Sequence, residues 1–222
     1  MEKFINRNEA GRILADQLKS YANNPDVIVL GLPRGGVPVA YEIAKKLSAP
    51  LDIFTVRKLG VPGHEELAMG AIASGGTLTF NEEIIQALHV SQEKINQVIQ
   101  TEEKELKRRE LLYRGNQPYP NLQDKIVILV DDGIATGATM RAAISALRKL
   151  NPKRLIMAIP VAAFSTYQEM TDLVDEIVCP LQPLHFYAVG LWYDDFAQTS
   201  DNEVSNLLAT VPHINHNASS IF

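Results

Sequence analysis

The stretch ILVDDGIATGAT, residues 128–139, decides how the rest of the chain is read. Ile128, Leu129 and Val130 suit a buried strand, and Asp131 and Asp132 then turn the chain abruptly acidic. Gly133, Ile134, Ala135, Thr136, Gly137, Ala138 and Thr139 lead through mostly small residues into a helix. Two adjacent carboxylates leaving a buried strand are costly unless they meet hydroxyls, cations or water. Small residues let a ligand approach the backbone, and the helix that follows presents free N–H groups and the positive end of its dipole to an anion. A ligand carrying a diol beside a phosphate meets both demands. Single parts have plainer explanations: Asp132 or Thr136 alone is an ordinary helix cap, and a strand ending in Asp-Asp also occurs in receiver-type phosphoacceptor domains. The order of strand, paired acids, spaced glycines and threonines points to a phosphoribosyl site.

Outward from this stretch, short apolar runs alternate with helical periodicities. Upstream, Asn8 caps a first amphipathic helix marked by Ala10, Ile13, Leu14, Leu18 and Tyr21. VIVLGL (27–32) reads as a strand, Pro33, Arg34, Gly35 and Gly36 as a tight turn, and VPVAYEIAKKL (37–47) as a helix. LDIFTVRKL (51–59) is expected to be one further strand. In the Gly-rich segment 60–76 the first half is expected to be a mobile loop, with residues 67–80 extended. Asn81 starts a helical region, and residues 91–113 form a long charged helix. There Glu103 pairs with Lys107 and Glu105 with Arg109, while Ile95, Val98, Ile99 and Leu106 face inward. Downstream, KIVILV (125–130), RLIMAIPVA (154–162) and IVCPL (177–181) read as strands, and ATMRAAISALRKL (138–150) and TYQEMTDLVDEI (166–177) as helices. Strands apolar on both faces and joined by helices predict an α/β fold, a mostly parallel sheet flanked by helices, with function at the strand ends.

Composition agrees with one globular domain spanning 1–222: the chain has 222 residues, 46% hydrophobic and 21% charged. Its last few residues look loose. A formal net charge of -5 speaks against a nucleic-acid or membrane-surface partner, which a broad basic patch would mark. The single cysteine, Cys179, lies in an apolar setting and reads as a packing residue. No apolar run approaches the ~20 residues of a membrane span, and the charged start MEKFINRNEAGR is unlike a signal peptide, so a cytoplasmic protein is expected. GxGxxG, GxxxxGK[ST], GxSxG and HExxH patterns are all absent.

ILVDDGIATGAT resembles the phosphoribosyl pyrophosphate (PRPP) motif of the type I phosphoribosyltransferases. GLPRGG (31–36) is similar to that family's pyrophosphate loop, and RKLGVPGHEELAMGAI (57–72) stands where the family carries a flexible catalytic loop. FYAVGLWYDDF (186–196) stands in part of the hood that receives the acceptor. The layout resembles the stand-alone predicted members. The resemblance implies a core over about 25–180, an inserted helical segment over about 82–114 and a hood segment over about 183–212. It also implies a homodimer, Mg²⁺ as cofactor, and PRPP with a small, nitrogenous acceptor as partners, pyrophosphate being released. Under it, Asp131 and Asp132 meet the ribose hydroxyls and help hold Mg²⁺. Ala135, Thr136, Gly137, Ala138 and Thr139 cradle the 5'-phosphate, while Arg34 with the amides of Gly35 and Gly36 holds pyrophosphate.

Arg57 and Lys58, with His64, are expected to close over the leaving group, the plainer alternative being solvated charge. Ile134, Trp192 and Tyr193, with Phe186, are candidates for the acceptor pocket, or else hood core. Asp194 and Asp195 either meet an amine or face solvent. One departure bears on the acceptor: 6-oxopurine-type members carry an aspartate at the position of Ala135, and that base is absent here. A regulatory protein that binds PRPP or a nucleotide without transfer stays open as an alternative, as does hydrolysis of such a substrate.

Overall fold

A computed structural model describes residues 3–211 of the chain. The tail expected to be loose and residue 212, the expected end of the hood, lie outside the described residues. The elements in chain order are α1 (Arg7–Gln17), β1 (Val27–Gly31), α2 (Gly36–Leu47), β2 (Leu51–Ile53), β3 (Val56–Val61), β4 (His64–Ala73), β5 (Thr77–Phe80), α3 (Glu82–Ala87) and α4 (Gln92–Arg114). They continue with β6 (Ile126–Val130), α5 (Ala138–Lys149), β7 (Arg154–Ala158), α6 (Phe164–Met170), β8 (Glu176–Val178) and α7 (Asp201–Ala209).

The main sheet has five strands in the order β2-β1-β6-β7-β8, all paired in parallel. Its strands are apolar on both faces because both are covered. Ile126, Ile128 and Val130 join the core under α1, α2 and α7, and Val127 and Leu129 join the core under α5 and α6. From β1 the chain proceeds outward to β2, and from β6 it proceeds the opposite way to β7. The topological switch therefore falls between β1 and β6, where Gly31 pairs with Val130 and Leu32 donates to the Val130 carbonyl at 2.8 Å. The two loops singled out in the sequence leave the sheet side by side at that crevice.

Three local expectations are corrected. The cap of α1 is Asn6, whose side chain accepts from the Glu9 amide at 3.0 Å. Glu9 in turn accepts from the amide of Ile5, one residue before the cap, so the signal was the spacing of Asn6 and Glu9, a variant of the capping box. Residues 51–59 are not one strand. β2 completes the parallel sheet, after which paired bonds between Thr55 and Ser74, each 2.9 Å, draw the chain into a second, antiparallel sheet in the order β3-β4-β5.

The third correction concerns the segment expected to be a mobile loop. It is a hairpin in which Val61 pairs with His64 across a Pro62-Gly63 turn, Gly63 having φ +84°. Proline followed by glycine is the residue pair that a tight turn with one positive φ requires. Leu59, Val61, Met69 and Ile72 of the hairpin bury against Ile95 and Leu106 of α4, which gives these residues a reason to be ordered. The inserted helix α4 is the 23-residue rod expected from its charge pattern, with Ser91 as its cap and the Glu103–Lys107 and Glu105–Arg109 pairs in place. Its far end is clamped back on the main sheet by Arg114, which pairs with both oxygens of Asp52 at 2.7 and 2.9 Å.

Candidate active site between β1 and β6

Asp131 and Asp132 follow β6 at the switch point. The Asp132 amide donates to Asp131 Oδ1 at 2.8 Å, and the two carboxyls are themselves in hydrogen-bond contact. Asp132 is gripped at both ends. Arg7 Nε and Nη2 both reach its Oδ2 at 2.8 Å, and the Tyr193 hydroxyl donates to its backbone carbonyl. Burial, followed by repulsion from Asp132, holds the Asp131 carboxyl well above the usual carboxylate range. Burial also raises Asp132, but the Arg7 guanidinium opposes the rise. The acids are therefore unequal: Asp132 is bonded directly to a cation, whereas Asp131 is held through its neighbour and feels Arg7 only at a distance.

The glycines after β1 are explained by these acids. A Cβ on Gly36 would lie 2.7 Å from the Val130 carbonyl oxygen, and one on Gly35 would collide with the Asp132 carboxylate. The peptide between Pro33 and Arg34 is cis. Not both amides of this turn are open to an anion, however. The Gly36 N–H donates to the Leu32 carbonyl at 3.0 Å. Arg34 Nη1 lies 3.7 Å from Asp201 Oδ1 at the start of α7, and the same oxygen accepts from the Tyr113 hydroxyl at 2.5 Å.

The loop from Gly133 to α5 has its carbonyls tied down. Thr166 Oγ1 donates to the Ala135 oxygen and Arg141 Nη2 to the Thr136 oxygen, each at 2.6 Å. Gly137, at φ +71°, forms the left-handed cap of α5, and a Cβ there would strike the Met170 side chain. Among the described residues, the amides of Ala135, Thr136 and Gly137 have no acceptor. With the open first turn of the 12-residue α5 behind them, they form a run of free N–H groups of the kind that suits an anion, bordered by the exposed residues Ala135, Thr136, Ala138 and Thr139.

Other expected residues are placed elsewhere. Arg57 and Lys58 sit on β3 of the second sheet. Arg57 bonds Glu102 of α4 at 2.7 Å, and both border a cavity of about 640 Å³ between the hairpin and α4. His64 is exposed beside Leu67 and Leu88, at a further cavity of about 560 Å³. Ile134 is buried in the core under α5, its amide bonded to the Val161 carbonyl. Tyr193 is buried between Phe4 and Phe196, so its ring has no face free to stack on a ligand. Trp192 stacks on Phe186, and its buried Nε1 has no partner among the described residues. Asp194 and Asp195 are exposed. Cys179 is buried, with its thiol pushed up to about 12 by burial, as befits a packing residue.

The residue that sequence reading missed is Arg7. Nothing local marks it, because its partner lies 125 positions away. The faint signal is a cation in the first turn of a helix, where the dipole disfavours it.

Comparison with known proteins points to one family. The family model described as phosphoribosyl transferase domain matches residues 5–187. A Mycobacterium tuberculosis protein named "Putative phosphoribosyl transferase Rv0571c" is 42% identical over 204 residues, which cover 92% of this chain and 46% of that protein. The chain thus spans about half the length of the curated relatives it matches. A stretch of 36 residues, 16% of the chain, is 58% identical to bifunctional protein PyrR of Haemophilus influenzae, covering 20% of it. Among solved structures, TT1426 from Thermus thermophilus superposes with a TM-score of 0.82 at 37% identity, covering 93% of this chain and 97% of that one. No helix among the described residues is long and apolar enough to cross a membrane. Matched over residues 5–187 and 42% identical to a relative across 92% of its own length, the chain belongs to the phosphoribosyl transferase domain family.

Proposed function

We propose that the chain transfers the 5-phosphoribosyl group of PRPP to a small nitrogenous acceptor, releasing pyrophosphate, as a Mg²⁺-dependent cytoplasmic homodimer whose single domain carries the 82–114 helical insert and a hood over about 183–212. The observation that carries the reading is the meeting of an acid pair with a seat of unpaired amides at one strand end. Asp131 and Asp132 take the ribose hydroxyls, and the amides and hydroxyls from Ala135 to Thr139 take the 5'-phosphate. The Gly35 amide and Arg34 take the leaving pyrophosphate, Arg34 by exchanging Asp201 for it. Transfer of this kind, through an oxocarbenium-like centre, asks the protein for positioning and charge rather than for a covalent intermediate.

Mg²⁺ fits this donor set in one form. Among the described residues no three His, Cys, Asp or Glu side chains gather to cage a metal, whereas a carboxylate pair suits an ion that takes most of its ligands from phosphate and water. Bound there, it would neutralise charge on the leaving group. Arg57 and Lys58 are kept as candidates to approach pyrophosphate, which for Arg57 means leaving Glu102. Trp192 is kept for the acceptor side, together with Ile134 and Tyr193 as its backing.

The test is a panel of nucleobases and small amines incubated with protein, PRPP and Mg²⁺, with pyrophosphate release as the signal. Release that depends on one acceptor supports the reading. Release without any acceptor points to hydrolysis instead. A second reading, a regulatory PRPP- or nucleotide-binding protein, draws on Ala135 in place of an acid and on Arg34 and Arg57 both lying against carboxylates. Tight PRPP binding with no release across the panel would select it.

A further inference from the structure

Resting on the PRPP reading, we infer that Arg7 is a positioning residue of the site: it fixes the Asp132 carboxylate in one orientation and supplies its counter-charge before the donor sugar arrives. Two N–H groups of one guanidinium converge on Asp132 Oδ2 at 2.8 Å. Arg7 is itself immobilised. Its Nη1 donates to the Ala197 carbonyl at 2.6 Å, its guanidinium lies 3.8 Å from the centre of the Phe196 ring, and its side chain is only 12% exposed. A long side chain so held has already lost its rotamer freedom, so orienting the acid costs nothing further when ligand binds.

The location argues in the same direction. Arg7 opens α1, where a cation opposes the helix dipole, and a local rule broken in this way is expected where the residue serves another site. The hood segment takes part from two sides. Tyr193 holds the Asp132 carbonyl, while Phe196 and Ala197 hold the arginine that holds its carboxylate. Asp131 has no such clamp. The pair is thereby divided into one acid held directly by a cation and one held only through its neighbour. Without Arg7, a buried Asp132 would lack the counter-charge that the protein itself supplies before ligand arrives.

The experiment is calorimetric titration of PRPP with Mg²⁺ into the full chain as wild type, Arg7→Gln, Arg7→Lys, Asp132→Asn and the double variant Arg7→Gln/Asp132→Asn, with thermal melts alongside. Arg7→Gln is expected to weaken binding about tenfold, and Arg7→Lys, which keeps the charge but not the fork, to recover part of that loss. In the Asp132→Asn background the same Arg7→Gln change is expected to matter less than about twofold, because the group it served is gone. Equal binding by wild type and Arg7→Gln, or a full tenfold loss persisting beside Asp132→Asn, overturns the role of Arg7 alone. Absence of PRPP binding by the wild type overturns the donor reading and this role with it. Should Arg7→Gln fail to fold, the comparison runs on Arg7→Lys with and without Asp132→Asn, and an undiminished affinity for Arg7→Lys overturns the fork.

Discussion

A Cβ placed on Gly35 would overlap Oδ2 of Asp132. The glycine of one loop and the acid of the other are thus complementary surfaces, and the acid cannot retreat easily because Arg7 holds the same oxygen. Gly35→Ala should therefore displace the Asp132 carboxylate rather than unfold the chain. The expected outcome is a loss of PRPP affinity or turnover on the order of a hundredfold, with a stability cost of about 1–3 kcal/mol. Titration and a melt of the same variant check it. A variant that melts early but turns over normally would count against the contact as a site feature.

Asp131→Asn tests the raised acid. Its folded carboxyl lies above the ordinary range because of burial and of Asp132. Between the unfolded value, about 3.9, and the raised folded one, the native state binds more protons than the unfolded state, so stability falls as pH rises through that window. The favourable contribution is complete below the unfolded value and gone above the folded one. Asparagine has no such slope. Asp131→Asn is expected to melt at or above the wild-type temperature at neutral pH, with the difference shrinking and then vanishing on acidification, while turnover collapses. Melts across acid to neutral pH decide it, and an Asn variant that is less stable at neutral pH would refute the direction.

The clamp between Arg114 and Asp52 predicts the opposite behaviour, stability without chemistry. Both side chains are nearly buried, at 7% and 13% exposure, and Arg114 also lies over the Tyr119 ring. Arg114→Ala leaves a carboxylate without its partner, a change that costs about 3–5 kcal/mol for buried pairs. Asp52→Ala together with Arg114→Ala should cost less than the sum of the two single changes. Denaturant melts of the three variants measure it, with PRPP affinity of the folded fraction expected to be unchanged.

What the chain disclosed before folding follows from the range of the forces involved. The parallel sheet was legible because Ile126 to Val130 is apolar on every residue, and only a sheet covered on both faces needs that. The entry into α5 was legible because Gly137 and the threonines act on their own helix. The split between β2 and β3 was hidden, since it hangs on Thr55 meeting Ser74, and the hairpin at Pro62-Gly63 was masked by its mixed charges. Asp201 and Glu102 gave no signal either, and Arg7 only the faint one of a cation opening a helix. Each acts on a site residue far along the chain, and pairing at that distance leaves no local pattern. The two readings of the aromatic run could not be told apart for a related reason: such a run looks the same whether it lines a pocket or, like Tyr193, fills a core.

Tyr113 joins the long inserted helix to the site through Asp201, which it shares with Arg34. Burial first, then the hydrogen bond to Asp201, pushes its hydroxyl up to about 12; Tyr21 is pushed up to about 12 by burial and Glu176. For an acid raised in the folded state, the native form keeps its proton while the unfolded form gives it up. Their contribution is therefore intact below the ordinary tyrosine value of 10.0 and is lost as pH climbs from there to about 12. Stability should decline across that interval, and Tyr113→Phe should make the decline shallower while leaving the neutral-pH melt within about 0.5–1.5 kcal/mol of wild type. Because Tyr113→Phe frees one Asp201 oxygen to bind Arg34 more closely, weaker inhibition by added pyrophosphate is also expected. Melts at alkaline pH and a pyrophosphate titration read the two effects separately. Unchanged inhibition beside an altered alkaline slope would confine Tyr113 to the fold, and an unaltered slope would remove the Asp201 bond from the account.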